Sequence, residues 1–452
     1  MVFFHGGGFM SGDGGKTLYG PDYLLDQDVI LVSGNYRLGI FGFLSTNTLD
    51  CPGNFGMKDQ VEILKWVQKN IGQFGGDKDS VTIFGESAGG ASVTYHTISP
   101  LSKGLFHRAI PQSGTHLSLW AKRDGEIIFR NARKFASLVK CPADRENAKE
   151  MIECLRNLSA KEIMSHFYEV FKWDIFPICY WVPVVEPESE NAFLTEDPAK
   201  LSGGDDIPFL IGITSNEGIF ISVALLRDQK LIEHLKREIK HLLPDLMSYQ
   251  DYNEVTRNTL TNMISEFYFQ NHEVDLRDSE MLQNFTDSMS DAYFLNAVSR
   301  ILRQRSPESL SSNTFLYLFN HMGENSFSEL FLEDSQTQFG VSHMDDLIYL
   351  FPVVKEHFFK GIPTETDDFI RKTMVSLWVN FAKFGNPTPK SDDSSLPEWK
   401  VAGSFPYDFL RIGNYHQSDA PIIAMENGLY EKRVLFWKKI ASVLTEAQMD
   451  VD

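Results

Sequence analysis

A serine in a G-x-S-x-G pattern is the residue of this chain with the clearest chemical meaning. Ser87 lies in Gly85-Glu86-Ser87-Ala88-Gly89, after four residues that favour β structure and before a run of small residues that could begin a helix. The pattern is typical of a nucleophile elbow, a strand-to-helix turn so tight that the positions two before and two after the serine favour glycine. Such a pattern also arises by chance about 0.1–0.2 times in a chain of this length. Other residues that could act with Ser87 must therefore show whether it is a nucleophile.

A serine hydroxyl needs a base, an orienting acid and donors for the developing oxyanion before it can act as a nucleophile. Consecutive glycines follow an apolar strand in the run HGGGF, residues 5–9. Their N–H groups can approach an oxyanion without interference from a Cβ atom. A flexible loop or a phosphate cradle is the alternative, but the Lys-Ser/Thr or x-x-G continuation that phosphate binding needs is missing. The run therefore predicts an oxyanion hole.

The acid and the base are predicted from chain order and local context. Glu217 directly follows an apolar strand in a turn-rich stretch, where the acid is expected, and a solvated turn glutamate is the alternative. His343, in a polar loop after the last clear strand, is the best candidate for the base, and His321 at the end of that strand is its rival. Asp345 and Asp346 are alternative acids, although they lie too close in sequence to His343 to orient its far nitrogen easily.

Composition excludes several classes of function. The chain has 452 residues, of which 42% are hydrophobic and 23% charged, and its formal net charge is −19. An acidic chain has no electrostatic reason to bind nucleic acid or anionic lipid. No stretch is apolar for long enough to span a membrane. There is neither a C-x-x-C pair nor an H-E-x-x-H motif, so we predict no metal site and no cofactor.

The elements that must position these residues alternate in the α/β manner over residues 1–115. Predicted strands are Val2–Phe4, Val29–Val32, Val81–Phe84, Ala109–Pro111, Phe209–Ile213 and Phe315–Phe319. Predicted helices cover Gln60–Ile71 and Val434–Val443. A third predicted helix carries an apolar face and ends at Gly385; this face consists of Ile370, Met374, Leu377 and Phe381. The charged helical stretches 125–200 and 225–310 are predicted to be cap insertions rather than a second domain.

Two local patterns depend on the compartment of the protein. Cys141 and Cys154 are thirteen residues apart and flank a charged helical stretch, which suits a local disulfide, and two reduced core thiols are the alternative. Asn157 and Asn284 begin N-glycosylation motifs, which have meaning only in a secreted chain.

Together these residues resemble one family, the type-B carboxylesterases of the cholinesterase and carboxylesterase group. The matching runs, in the order of the family, are FFHGGGF, SGNYRLGIFGFL, PGNFGMKDQVEILKWVQKNIGQFGGD, VTIFGESAGGASV, RAIPQSGT, IGITSNEG and GVSHMDDLIYLF. The resemblance implies one α/β-hydrolase domain over residues 1–452, with a mostly parallel sheet, flanking helices and helical cap insertions. It also implies that a small-molecule carboxylic ester is cleaved through an acyl-enzyme, without a cofactor.

Carried over residue by residue, the resemblance implies a role for each site position. Ser87 matches the nucleophile, Glu217 the acid and His343 the base. The expected oxyanion donors are Gly7, Gly8 and Ala88.

Further matches surround these positions. Glu86 would tune the local field, Ser113 matches a hydroxyl near the acid and base, and Trp120 matches an aromatic of the acyl pocket, with ordinary core packing as the alternative. The family also implies a Cys141–Cys154 disulfide and an Arg37–Asp59 ion pair. Cys51 and Cys179 match nothing in it.

The front of the chain departs from the family, whose members carry additional first strands. We therefore expect those strands to be missing, Val2–Phe4 to form an unpaired sheet edge, and the chain to fold poorly or to be inactive. The wording resembles insect esterases, and juvenile hormone esterases typically carry Gln where Glu86 stands, which argues against that specificity. An adhesion or carrier protein on the same scaffold, and a lipase or amidase, are the alternatives. Secretion is expected from the family, and no pattern indicates an oligomeric state.

Overall fold

The computed structural model describes residues 1–174, 176–201, 203–332, 339–353, 359, 361–389, 396–415, 417 and 419–449. Its centre is a sheet in the order β2-β1-β3-β4-β5-β6-β7-β8, parallel throughout except for the antiparallel pair β7–β8. The strands are β1 Val2–Phe4, β2 Val32–Ser33, β3 Thr82–Glu86, β4 Arg108–Gln112, β5 Phe209–Thr214, β6 Thr314–Phe319, β7 Asp408–Ile412 and β8 Ile423–Asn427.

Helices follow most strands and also form two long insertions. They are α1 Asp22–Leu25, α2 Gly39–Phe43, α3 Phe55–Asn70, α4 Ala88–Ile98, α5 Gly125–Leu138, α6 Ala148–Arg156, α7 Ala160–Ser165, α8 Ile219–Leu226, α9 Gln229–Leu246, α10 Glu254–Phe269, α11 Ser279–Ser290, α12 Asn296–Gln304, α13 Pro307–Ser312, α14 Ser328–Leu332, α15 Glu365–Phe384 and α16 Glu431–Met449. A π-helical turn, Asp291–Leu295, joins α11 to α12. Helices α5–α7 lie between β4 and β5, and α8–α13 lie between β5 and β6. These two groups of helices correspond to the stretches 125–200 and 225–310, which are predicted to be cap insertions.

Strands β1 and β3–β7 are buried on both faces except at the first residues of β4 and β7, so alternate side chains enter two separate cores. In β6, Leu316 and Leu318 join the core that packs under α3, α4 and the insertions, whereas Phe315, Tyr317 and Phe319 enter the other core. The apolar face of α15 covers this second core and ends at Gly385, whose φ of 68° is the left-handed cap that the sequence predicts. The predicted α/β class, with a mostly parallel sheet between helices, is confirmed.

The predicted strands β1, β3, β4, β5 and β6 are confirmed to within two residues at each end. One strand prediction needs correction, because of residues 29–32 only Val32 lies in a strand, the two-residue β2 Val32–Ser33. Two further strands, β7 and β8, were not predicted from the sequence. The edge prediction is also wrong, because Val2–Phe4 pairs with β2 on one side and with β3 on the other.

Candidate functional site

The turn at Ser87 has the geometry of a nucleophile elbow. Ser87 adopts φ 58° and ψ −121°, a strained conformation for a residue with a side chain. A Cβ atom on Gly85 would lie 2.5 Å from the Phe4 carbonyl oxygen, and one on Gly89 would lie 1.9 Å from the same atom. Glycine is therefore required on both sides of the serine. The Ser87 N–H donates to the carbonyl of Gln112 at 2.9 Å, which fixes the turn to the end of β4.

The glycine loop lies against this turn. A Cβ atom on Gly6 would lie 2.9 Å from Oε2 of Glu86 and 3.1 Å from Cβ of Ser87. Gly7 and Gly8 have φ values of 106° and 61°, which only glycine adopts readily. Within the described part of the chain, the N–H groups of Gly7, Gly8 and Ala88 donate to no protein atom. Free donors of this kind are what an oxyanion hole requires.

Glu217 and His343 come together from loops that follow β5 and β6. Oε2 of Glu217 lies 2.6 Å from Nδ1 of His343. The other oxygen of Glu217 accepts from the Ser113 hydroxyl at 2.5 Å and from the Thr214 N–H at 2.8 Å. Glu217 is completely buried and His343 is 5% exposed. The carboxylate therefore holds one side of the imidazole in a fixed orientation.

The opposite nitrogen of His343 lies beside Glu86. Its Nε2 lies 3.0 Å from Oε1 of Glu86, and no hydrogen bond joins His343 to the Ser87 hydroxyl among the described residues. The structure thus brings Glu86, Glu217 and His343 together and leaves the expected serine–histidine hydrogen bond unmade. Glu86 was expected only to tune the local electric field, but its carboxyl group lies directly beside the histidine ring.

Burial controls the charges in this group. Burial raises the pKa of Glu86 well above its ordinary value, and the nearby Asp346 and Glu217 add to that effect while His343 opposes it. Burial lowers the pKa of His343, but the carboxyl groups of Glu86 and Glu217 outweigh burial and raise it. Burial therefore favours the protonated form of Glu86.

The rival candidates have other partners. Nε2 of His321 lies 2.9 Å from a carboxylate oxygen of Asp367 at the start of α15, which leaves His321 in a structural pair. Asp345 accepts hydrogen bonds from the N–H groups of Phe327 and Ser342 and shapes the histidine loop from within. Neither of them contacts the Glu217–His343 pair through a hydrogen bond.

A wall of aromatic rings borders the histidine. The rings of Phe294 and Phe220 lie 4.5 Å and 5.0 Å from the His343 ring, measured between centroids. Trp120 packs 6.2 Å from Phe294, and its indole N–H donates to the Tyr293 carbonyl at 3.0 Å. Phe294 lies in the π-helical turn, an irregularity that often accompanies functional sites. Trp120 is thus one ring removed from the histidine.

Comparison with known proteins finds that a model of the carboxylesterase family matches residues 1–437. The chain belongs to the carboxylesterase family. Its fold is therefore the α/β-hydrolase fold, and the protein is a carboxylic ester hydrolase.

Relatives of this carboxylesterase come from insects and mammals. It is 35% identical to a juvenile hormone esterase of Tribolium castaneum, over 97% of this chain and 76% of the relative. It is 37% identical to esterase FE4 of Myzus persicae, over 88% of this chain and 68% of the relative. A bile salt-activated lipase of Rattus norvegicus is 32% identical over 97% of this chain and 69% of its own length. The resemblance to insect esterases is therefore shared with a mammalian lipase.

Other predicted residues of the carboxylesterase lie outside the catalytic group. Cys141 and Cys154 form a disulfide that joins the segment after α5 to α6. Arg37 makes two hydrogen bonds of 2.7 Å to the carboxylate of Asp59, although its side chain is half-exposed. Cys51 is a free, buried thiol.

The two glycosylation motifs occupy different environments. Asn157 is exposed at the C-cap of α6. Asn284 lies half-buried within α11, and Thr286 of its motif is buried with its hydroxyl bonded to Ser222. Only Asn157 is therefore readily accessible in the folded chain.

A cavity of about 430 Å³ adjoins the glycine loop and is not lined by Ser87, Glu217 or His343. Its lining includes Met10, Gly12 and the apolar side chains of the cap residues Phe135, Ile163 and Trp181. Cys179, two residues before Trp181, is a free and buried thiol that lies beside the loop. Its sulfur would be 3.3 Å from a Cβ atom on Gly8.

None of the helices in the described part of the chain has the length and apolar character needed to cross a membrane. The described residues also contain no group of three or more His, Cys, Asp or Glu side chains that could hold a metal ion.

Sequence reasoning missed Gln112, Phe220 and Phe294, and it considered Asp346 only as a rival acid. Phe220 could have been found, because it follows Glu217 by three residues at the start of a helix. The other three give no local signal. Their positions depend on which strands and helices lie side by side.

Proposed function

We propose that this carboxylesterase cleaves carboxylic esters through Ser87, with His343 as the general base and Glu217 as the acid that orients it. The 2.6 Å contact between Glu217 and Nδ1 of His343 carries the proposal, because it engages one ring nitrogen with the acid and leaves Nε2 as the nitrogen that can take the serine proton. The strained elbow at Ser87 and the free N–H groups of the glycine loop support it.

The proposed reaction has two halves. Nε2 of His343 takes the proton of the Ser87 hydroxyl as the oxygen attacks the ester carbonyl, and the tetrahedral oxyanion lies among the N–H groups of Gly7, Gly8 and Ala88. The imidazolium then gives its proton to the departing alcohol, which leaves an acyl-serine. Water, deprotonated by the same nitrogen, attacks the acyl group and releases the acid and free Ser87.

Formation of the Ser87–His343 hydrogen bond requires a small adjustment on substrate binding. In the substrate-free chain Nε2 lies beside Glu86, and catalytic hydrogen bonds are often unmade until substrate is bound. The raised pKa of Glu86 favours this adjustment, because it favours the neutral carboxyl group, which holds the imidazole less strongly than a carboxylate would.

The aromatic wall supports an acyl group with apolar character. Phe294 packs beside the His343 ring and Trp120 packs against Phe294, so we expect an acyl group on Ser87 to meet apolar rings near the histidine. The name of the Tribolium relative offers juvenile hormone as one substrate to test, although Glu86 argues against that specificity. In a secreted chain, we expect a glycan on Asn157 rather than on Asn284.

The test compares Ser87→Ala with Ser442→Ala, which removes an exposed hydroxyl on α16. Hydrolysis of p-nitrophenyl acetate and covalent labelling by a fluorophosphonate probe are measured for both variants and the parent chain. Turnover of Ser87→Ala is expected to fall by about 10³-fold or more, and its labelling to disappear. Ser442→Ala is expected to match the parent. Labelling that survives in Ser87→Ala would exclude Ser87 as the nucleophile.

A further inference from the structure

Asp346 is a buried carboxyl group near Glu217 and His343, and the reaction proposed above does not use it. Its side chain is completely enclosed. Oδ2 accepts a hydrogen bond from Nε2 of Gln112 at 2.8 Å and another from the Tyr317 hydroxyl at 3.0 Å. Oδ1 has no hydrogen-bond partner in the described part of the chain. Because burying an incompletely paired carboxyl group is costly, its presence calls for a reason other than packing.

Gln112 connects Asp346 to the serine turn. Its carbonyl accepts the Ser87 N–H at 2.9 Å, and its side-chain oxygen accepts the indole N–H of Trp378 at 3.2 Å. An indole nitrogen only donates, so the amide oxygen faces Trp378 and the amide nitrogen faces the carboxyl group. The next residue, Ser113, holds the acid of the catalytic group. One strand end therefore supports the serine, the acid and the loop of the histidine.

The groups that face Asp346 come from every element packed around it. They are Glu86 at the end of β3, Gln112 at the end of β4, Glu217 after β5, Tyr317 in β6, and His343 and Asp345 in its own loop. Burial raises the pKa of Asp346 to about 6, while the hydrogen bond from Gln112 opposes the rise. In its ionised form Asp346 adds negative charge near the imidazole, and this charge raises the pKa of His343.

We infer that Asp346 is a positioning residue for ester hydrolysis, acting through Gln112 on the Ser87 turn and through its charge on His343. The tether keeps the histidine loop in register with the elbow. The charge stabilises the imidazolium that forms while Ser87 is acylated. Asp346 touches neither substrate nor reacting atoms, and the inference rests on the roles proposed above for Ser87 and His343.

Two variants separate the tether from the charge. Asp346→Asn keeps the size and an oxygen that can accept from Gln112, but it removes the charge. Gln112→Met keeps the charge and a similar volume, but it removes the amide. The measurement is kcat and KM for p-nitrophenyl acetate as a function of pH, together with the Tm of each variant.

Each variant has its own expected signature. Asp346→Asn should lower kcat about threefold to tenfold, and it should move the acid limb of kcat/KM down by about half a pH unit or more. The shift is downward because His343, with one negative charge fewer nearby, gives up its proton at lower pH. Gln112→Met should lower kcat about tenfold without a downward shift of the acid limb, and KM should stay within about twofold in both variants.

Asp345→Asn is the matched control, because Asp345 is also buried in the histidine loop but binds Ser326 and backbone N–H groups rather than Gln112. It should lower Tm and leave the acid limb in place. Equal shifts in Asp345→Asn and Asp346→Asn would overturn the inference. Unchanged kcat in Gln112→Met would overturn the tether, and this variant decides the matter where Asp346→Asn does not fold. A parent chain without Ser87-dependent hydrolysis would instead contradict the proposed function.

Discussion

Glu86 lies 3.0 Å from Nε2 of His343, on the side of the ring opposite Glu217. The imidazole of this carboxylesterase therefore lies between two buried carboxyl groups of different character. Burial raises the pKa of Glu86 and favours its protonated form, and neither of its carboxyl oxygens has a hydrogen-bond partner among the described residues. Glu217 instead accepts hydrogen bonds from Ser113 and Thr214. The contrast between the two groups leads to separate predictions.

Replacing Glu86 with Gln should stabilise the protein at neutral pH. Below the ordinary pKa of 4.5, Glu86 is protonated in both the folded and the unfolded chain and has no effect on stability through ionisation. Above that value the unfolded chain releases the proton while the folded chain retains it, so stability falls as pH rises toward the raised pKa. Urea unfolding of Glu86→Gln and the parent should diverge with rising pH and converge below 4.5. A constant difference at all pH values would contradict this explanation.

Replacing Glu217 with Gln should reduce turnover far more than substrate binding. The amide lacks the charge that stabilises imidazolium, and its NH₂ group can donate to Nδ1, which places the proton on the wrong nitrogen. We expect kcat for p-nitrophenyl acetate to fall about 10³–10⁴-fold with little change in KM. Glu62→Gln, at an exposed position on α3, is the control and should leave kcat unchanged. A fall of less than about tenfold would assign the orienting role elsewhere.

Gly114 should tolerate no side chain. A Cβ atom there would lie 2.2 Å from the carbonyl oxygen of Ser87, and its backbone does not adopt a positive φ, so space alone is the obstacle. Gly114→Ala should therefore lower Tm and abolish fluorophosphonate labelling by displacing the elbow. Gly72→Ala is the matched control, because a Cβ atom at Gly72 meets nothing within 4 Å. Full activity of Gly114→Ala would show that the elbow can shift without loss.

The Cys141–Cys154 disulfide should contribute to stability rather than to catalysis. It closes a loop with a sequence separation of 13 residues, for which the entropy of the unfolded chain predicts about 3 kcal/mol. The double variant Cys141→Ser/Cys154→Ser should lose about this much free energy of unfolding and keep its kcat at room temperature. Added reductant should destabilise the parent and leave the double variant unaffected. A loss of kcat without a loss of stability would contradict the assignment.

Arg433 should stabilise the segment that carries Phe294. Its guanidinium binds both carboxylate oxygens of the fully buried Asp291, the first residue of the π-helical turn, at 2.7 Å and 2.5 Å. Arg433→Met leaves Asp291 buried without a cationic partner, with the Tyr268 hydroxyl still donating to it, and should cost about 3–5 kcal/mol in unfolding free energy. Lys65→Met, which breaks an exposed pair on α3, should cost less than about 1 kcal/mol. Similar losses in both variants would contradict a special role for Arg433.

Local steric constraints made much of the scaffold predictable from the sequence. Gly85 and Gly89 mark the elbow because no other residue fits beside the Phe4 carbonyl, and continuous apolar runs mark β3, β5 and β6 because both faces of these strands are buried. The missed strand β8 is half-buried and mixed in character, so it carries no such run. The pairing of Val2–Phe4 with β2 was missed because the partner strand has only two residues.

The sequence alone predicted the proposed chemistry of this carboxylesterase: a serine on a turn that needs glycine, a glycine loop, and an acid and a histidine after later strands. Tertiary structure decided how these groups meet. The contact between Gln112 and Asp346 joins residues 234 positions apart, and Nε2 of His343 lies 3.0 Å from Oε1 of Glu86. Neighbouring residues specify a turn or a strand through their own backbone sterics. Which side chains then share a buried site depends on strand order and register, and these follow from the packing of the whole chain.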